Sequence, residues 1–517
     1  MIMANNSYYE SNSSDLFVSR CAERFNLDID KDWSNRESRL HIYKMFLNGT
    51  IYDNLSPFHQ EYNSPSDQSS YVKLSLRRPS VIYPIPKIIV DETTSMLFSE
   101  DHFPIVRCEH EETTNFLRYI TDTCNLRYSM LDAAKIGSIG SVCVLIKILE
   151  GKYYFEVLGT CDMQPYFNNM RPDELSRIIQ RKKTDGSTLS SEGYDIPKED
   201  LKKKFYIQRE WTITQEIYYT PWKCEENEGH TPKIDPSRTT IHNFGFVPAV
   251  WIRNTPRTCH IDGDCTFAPI IDTCVEIDYQ LSQLGRLLKY NSDPTLVIKN
   301  PGILEGNQLI KGVGSLNLDE KGDAYLLEMS NGATSAVIDY VRCLREFALE
   351  AVRGNRANPD KLSAIHSGKA LQMLNSPLIS FVDELRLSYG EYGLMRIYCM
   401  VLSIYKLMKG QLDTGDYKPA DAPCDGHLKL DWPDWYPATP QDKLQQAQTL
   451  SSLRKDKIIS GETAVTAVAD QYNIIDITSE LEAIQDERDL ETQQEQEYNS
   501  SPVKSKSGDK DTDSDRQ

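Results

Sequence analysis

Hydrophobic and polar positions follow two rhythms along this chain, and the change between them falls near Asp264. Ahead of it, Ile88–Phe98 sets Ile88, Ile89, Thr93, Met96 and Leu97 at helical spacing behind the turn-like Tyr83-Pro-Ile-Pro86. Tyr128–Gly137 also reads as helix. Ser141–Leu149 is a buried strand, Glu150-Gly151 a hairpin turn, and Tyr153–Leu158 the returning strand. Arg177–Lys183 and then Lys204–Thr220 read as strands, with Trp211, Ile213, Ile217 and Tyr219 at alternate positions, and Phe246–Ile252 as another. Residues 83–255 thus predict a mixed domain with a substantial antiparallel sheet. Order in earnest is expected from Tyr83, because residues 1–80 are polar and Asn/Ser-rich apart from a helical pattern around Glu37–Leu47.

Beyond Asp264 the period lengthens. Phe267, Ile270, Ile271, Cys274, Ile277, Leu281, Leu284, Leu287 and Leu288 predict an amphipathic helix about 33 Å long at roughly 1.5 Å per residue. Asp264 or Thr266 is expected to cap it, and Asp272 suits its positive end. Asn291-Ser-Asp-Pro294 ends it, and short strands follow at Thr295–Lys299, Ser315–Leu318 and Ala324–Met329. A second helix returns over Thr334–Arg353, its stripe being Val337, Ile338, Val341, Leu344, Phe347, Ala348 and Val352. Two helices with a small β head bury themselves poorly alone, so lateral neighbours are expected. After a break at Gly354–Gly368 comes a long helix from Lys369 to about Gln411, with a kink expected at Pro377. A Pro/Asp-rich linker carries Trp432, Trp435 and Tyr436, read as packing against the sheet domain. Helices at Gln441–Lys455, Ser460–Ala469 and Ser479–Asp489 precede a polar tail read as disordered.

Composition narrows the chemistry. The 517 residues carry 57 Lys+Arg against 76 Asp+Glu, a net charge of −19, which argues against a tight binder of polyanions. The apolar stretches are too short to span a membrane, and the polar, acidic start lacks a secretory pattern, so synthesis and folding in a cytoplasm are expected. The 12 cysteines form no CxxC pair and read as reduced thiols. Cys259-His-Ile-Asp-Gly-Asp-Cys265 lacks the spacing of a zinc or calcium site and reads as a helix-entry turn; no metal site is expected. Ser367-Gly-Lys-Ala370 is not a phosphate loop, because Ser363 replaces the first Gly and Ala370 the Mg²⁺-binding hydroxyl. Gly312-Val-Gly314 lacks a third Gly, and neither HExxH nor GxSxG occurs. No catalytic residue and no cofactor are therefore expected. One local excess of positive charge stands out: Arg353, Arg356, Lys361 and Lys369 against Asp360, with His366 adding charge below about pH 6.5.

Several segments in order resemble the portal proteins of tailed double-stranded DNA bacteriophages. Tyr83–Phe98 is similar to that family's early wing helix, and Phe244-Gly-Phe-Val-Pro-Ala-Val-Trp-Ile-Arg-Asn254 to the strand before its first stem helix. Ser367-Gly-Lys-Ala-Leu-Gln-Met-Leu374 with Pro377-Leu378 is similar to the start of the helix after the tunnel loop. Ile458-Ile-Ser-Gly-Glu-Thr-Ala464, with Glu480-Leu-Glu482 downstream, is similar to the crown helices. The resemblance implies an α+β, ring-forming portal fold with a polar N-terminal segment (1–82), wing (83–260 and 369–436), stem helices (261–291 and 333–353), clip (292–332), tunnel loop (354–368), crown (437–490) and tail (491–517). It implies a dodecamer at the portal vertex of a capsid, through which double-stranded DNA is packaged and ejected. Partners so implied are the large terminase, the major capsid protein and scaffold, and a head-completion or adaptor protein, with no membrane. Arg353, Arg356, Lys361, His366 and Lys369 would face DNA. Lys299, Asn300, Lys311, Asp319, Glu320 and Lys321 of the clip would meet the partner. Another ring-forming virion protein, or a nucleic-acid enzyme with an unrecognised site, is the competing reading.

Overall fold

A computed structural model describes residues 16–64, 67–226, 230–255, 260–292, 295–301, 318–327, 331–354, 372–373, 375–408, 411–412, 417, 428–436, 440–469, 479–481, 483–487 and 490. They form a mixed helix-and-sheet structure, as expected of an α+β chain. The chain divides into two compact units, Met1–Pro359 with Gln372–Trp435, and Asp360–Leu371 with Tyr436–Gln517.

In the first unit, order starts well before Tyr83, which corrects the sequence expectation. Helix α1 (16–25) is followed by α2 (Asn35–Asn48). Ser34 and Glu37 close a reciprocal capping box at the start of α2, and Gly49, at φ 72°, ends it. Phe25, Leu40, Ile42, Phe46 and Tyr52 are buried. A small hairpin follows, β1 (Tyr62–Ser64) against β2 (Asp67–Tyr71).

Helix α3 (Ile85–Phe98), strand β3 (Ile105–Arg107) and helices α4 (Glu111–Thr123) and α5 (Leu126–Gly137) lead into two antiparallel sheets. In the first, β4 (Ser141–Leu149) is flanked by β5 (Lys152–Gly159) and β12 (Ala249–Arg253). Glu150 and Gly151 both take positive φ (52° and 78°), the geometry that suits the twist of a two-residue hairpin. The second sheet runs β11 (Thr240–Ile241), β9 (Gln215–Tyr218), β8 (Lys204–Thr212), β7 (Leu175–Asp185) and β6 (Met163–Phe167), with β10 (Trp222–Lys223) also on β8. Helix α6 (Gly186–Ser191) sits between β7 and β8. The expected single strand Lys204–Thr220 is broken, because Thr212 Oγ1 accepts from the amides of Thr214 (3.4 Å) and Gln215 (3.1 Å) and folds the backbone into a turn. Ile213 sits exposed at that turn while Trp211 and Ile217 point inward.

Across the first sheet lie α9 (Ser376–Leu385), a π-helical segment Arg386–Leu394, and α10 (Met395–Leu407). Val382, Tyr389, Leu394, Ile397 and Val401 join Phe116, Met130, Val142, Val144 and Ile146 in one core. Pro377 lies in the first turn of α9, where its missing N–H costs no hydrogen bond, rather than at a kink. The irregularity is the wide π turn, where Gly390 and Gly393 let Trp432 and Ile252 approach the backbone closely. Strand β15 (Lys429–Asp431) then pairs with β3. The expectation for the linker tryptophans holds: Trp432 stacks on Phe98 at 6.1 Å, and Arg386 lies over Trp432 and Trp435 at 4.6 and 3.3 Å.

The second unit contains α11 (Pro440–Lys455) and α12 (Gly461–Ala469), the latter capped by Ser460 Oγ accepting from the Thr463 amide at 3.1 Å. Residues 479–481 and 483–487 are helical. The expected tail, 491–517, lies outside the described residues.

Candidate functional site at the helical hairpin

The amphipathic segment after Asp264 folds as a short 3-10 turn, Ala268–Ile270, and α7 (Ile271–Ser292). The N-cap position of the 3-10 turn is Phe267, whose side chain makes no capping bond. Thr266 Oγ1 accepts from Asn254 Nδ2 at 2.9 Å, Asp264 gives its carbonyl to the same amide at 2.8 Å, and Pro269 opens the turn. The chain then forms an antiparallel hairpin, β13 (Thr295–Pro301) with β14 (Leu318–Leu327), which takes in the first expected strand and most of the third; residues 315–317 of the second lie outside the described residues. Helix α8 (Asn331–Ala351) returns: Ala348, Leu349 and Val352 at its end pack with Phe267, Ile270, Ile271 and Cys274 at the start of α7.

The N-terminal residues grip one face of α7. Tyr52 donates its hydroxyl to Asp278 Oδ2 at 2.8 Å, and the Tyr83 amide donates to Oδ1 at 2.7 Å. One turn on, the Val81 amide donates to Ser282 Oγ at 3.0 Å. Tyr279 donates to the carbonyls of Ser75 and Arg77 at 3.1 and 2.9 Å. Arg286 pairs with Glu61, and Asp272 with Arg20 and Arg24 at 3.3 and 3.1 Å. Residues 16–83 are therefore a belt around the root of the hairpin. Sequence reasoning missed it because its partners lie some two hundred residues away. Asp278 is only 3% exposed, and burial pushes its carboxyl up to about 6.

The predicted apolar stripe of α8 divides in two. Val341 and Leu344 join the core with Ala348 and Val352. Ile338 and Phe347, expected in the same stripe, are exposed, Phe347 by 61%. Phe347 belongs to a separate line with Tyr340 and Cys343, at three- and four-residue steps.

Helix α8 ends with Arg353 at φ 56°. Its amide donates to the Glu350 carbonyl at 3.2 Å and the Gly354 amide to Leu349 at 2.8 Å, the paired bonds of a Schellman cap. Arg353 thus stands where glycine is usual. Its guanidinium makes two bonds to Glu384 on α9, at 2.7 and 2.9 Å, and lies 4.9 Å from the Phe381 ring centre. The pair holds the Glu384 carboxyl below the usual range. Arg353 is thus the one expected DNA-facing residue with a described position, and Glu384 already matches its charge. Arg356, Lys361, His366 and Lys369 lie outside the described residues. On the hairpin, Lys299 is exposed, its Nζ 5.3 Å from the Tyr325 ring centre. Asn300, Asp319, Glu320 and Lys321 fall within β13 and β14, and Lys311 lies outside the described residues.

The Cys259–Cys265 turn is structural where described. Asp262 accepts from Arg36 Nε and Nη2 at 2.7 and 2.8 Å and from the Ser141 hydroxyl at 2.6 Å. Among the described residues no group of three or more His, Cys, Asp or Glu side chains could hold a metal ion. Nor is any described helix long and apolar enough to cross a membrane.

A family profile described as Phage portal protein, SPP1 Gp6-like, matches residues 201–494, more than half of the chain. The chain belongs to this phage portal protein family. The match covers both helices of the hairpin, α9, α10 and the described helices of the second unit, so the portal resemblance read from the sequence is borne out. The belt and the β4–β5 hairpin lie ahead of it. No curated protein matches this portal-family chain. Among solved structures, a chain of "Virion of native gene transfer agent (GTA) particle" is similar at 12% identity, covering 74% of this chain and 88% of that one. Its TM-score of 0.33 is too low for the likeness to carry an argument.

Proposed function

We propose that this chain is the subunit of a portal ring, twelve copies of which surround an axial channel for double-stranded DNA at one vertex of a capsid. The observation that carries the reading is the helix–β-hairpin–helix series α7–β13–β14–α8 within the family match, with an apolar line on α8 that a single chain leaves uncovered. In this reading the hairpin tip, with Lys299, Asn300, Lys311, Asp319, Glu320 and Lys321, docks the large terminase during packaging and a head-completion protein afterwards. The capsid protein and scaffold surround the ring, and the protein supplies guidance rather than catalysis. A net charge of −19 per chain, repeated twelvefold, repels a polyanion and lets it slide. Arg356, Lys361, His366 and Lys369 then form a narrow positive band, with Arg353 at its edge.

Electron microscopy of the purified protein tests this directly. Rings with an axial channel are expected, and a monomer at every concentration overturns the reading. Replacing Arg356 and Lys361 by Ala is expected to lower packaging or DNA retention while rings persist. Unchanged packaging removes the loop from the mechanism.

A further inference from the structure

A closed ring needs two different patches on each subunit, one for each neighbour, because its contacts are head-to-tail. The described surface offers such a pair. On α8, Tyr340, Cys343 and Phe347 form the exposed apolar line, and Glu346 stands one turn on from Cys343. Arg342 and Arg345 fall on the opposite side by helical spacing. On the belt, Tyr71, Leu76 and Val81 are exposed apolar residues in one short stretch, and Lys73 between them is an exposed cation, whereas Arg78 already pairs with Asp53 at 3.3 Å. One patch is apolar with an acid, Glu346, at its side; the other is apolar with a cation, Lys73, among its members. The belt grips α7, and α8 offers α7 a different line of residues, Val341, Leu344 and Ala348, so Tyr340, Cys343 and Phe347 on one element and Tyr71, Leu76 and Val81 on the other stay exposed in the single chain.

We infer that the belt of one subunit receives the α8 line of the next: residues 71–81 cover Tyr340, Cys343 and Phe347 of a second copy of this chain, with Lys73 against Glu346. This rests on the ring reading above and adds to it a role for the N-terminal residues ahead of the family match. Burying tyrosine and phenylalanine at such a contact supplies most of its strength, while the charges set orientation and partner choice.

Cysteine cross-linking tests the contact. Cys343 is already exposed, so one substitution, Leu76→Cys or, as a second site, Val81→Cys, supplies the partner thiol. A short bismaleimide applied to assembled rings should give a ladder of covalent oligomers, absent in the wild type and lost again with Cys343→Ser. Loss of rings in Lys73→Glu with recovery in Lys73→Glu/Glu346→Lys supports the same pairing. Intact rings that give no ladder from either introduced thiol overturn the inferred interface while leaving the ring reading in place. Wild-type protein that never forms rings overturns the ring reading itself.

Discussion

Removing the Arg353–Glu384 pair should loosen the end of α8 by an amount the geometry sets. Both side chains are about two-fifths exposed, 41% and 43%, so solvent screens much of the attraction. A two-point charged contact so placed is worth about 1 kcal/mol. The guanidinium over Phe381 adds roughly 0.5–1 kcal/mol. Against this, a non-glycine residue in the left-handed region costs about 1 kcal/mol. Glu384→Gln should therefore raise hydrogen exchange at the Gly354 amide about fivefold, since roughly 1.4 kcal/mol is tenfold. Arg353→Ala loses both contacts and keeps the backbone cost. Arg353→Gly loses the same contacts but sheds that cost, so its Gly354 amide should exchange about fivefold more slowly than in Arg353→Ala. Exchange read by mass spectrometry on intact protein gives the comparison. Equal protection in wild type, Glu384→Gln and Arg353→Ala would refute the idea that this pair holds the helix end.

The carboxyl of Asp278, raised to about 6 by burial, gains stability when protonated. Its contribution is fully present below about pH 4 and lost as pH rises through about 6, by up to about 3 kcal/mol. Asp278→Asn should flatten this part of the denaturation midpoint's pH dependence between pH 4 and 7; an unchanged profile counts against it. A methyl group at Gly390 would run into the Trp432 ring, so Gly390→Ala should cost about 1–3 kcal/mol and shift tryptophan emission toward that of exposed indole. At Gly137 the added carbon meets the Tyr389 hydroxyl, which donates to Asn254 at 3.1 Å, so Gly137→Ala should lower the melting temperature more than Gly159→Ala, where the nearest atom is Ile136 at 3.5 Å.

What could be read from the sequence depended on how far each residue's partners lie along the chain. The hairpin β4–β5 matched closely because its register comes from its own turn and the first six residues of β4 form an unbroken buried run. Helix α7 was legible from its stripe, whereas its start was not, since a 3-10 turn at Ala268–Ile270, with Pro269 in its first positions, leads into it. Helix α4 gave no reading: of its thirteen positions, four are threonines, whose branched side chains mask a helical pattern. The belt was invisible for another reason. Its apolar residues are sparse, and only α7 makes sense of them. Of the basic loop, the sequence signalled charge but not that Arg353 is already matched by Glu384, a residue 31 positions on.

The belt also bears on the order in which the protein can be made. Tyr52 leaves the ribosome 226 residues ahead of Asp278, its partner. At about 5–20 residues per second, this leaves the belt's apolar residues without their native cover for roughly 10–45 s. During that interval Phe25, Phe46 and Tyr52 are open to chaperones and to other nascent chains. If the belt forms half of the contact between neighbours, a subunit becomes competent to join a ring only after α7 has emerged and been clasped. Assembly would then be timed by synthesis, and half-made chains would be kept out of the ring.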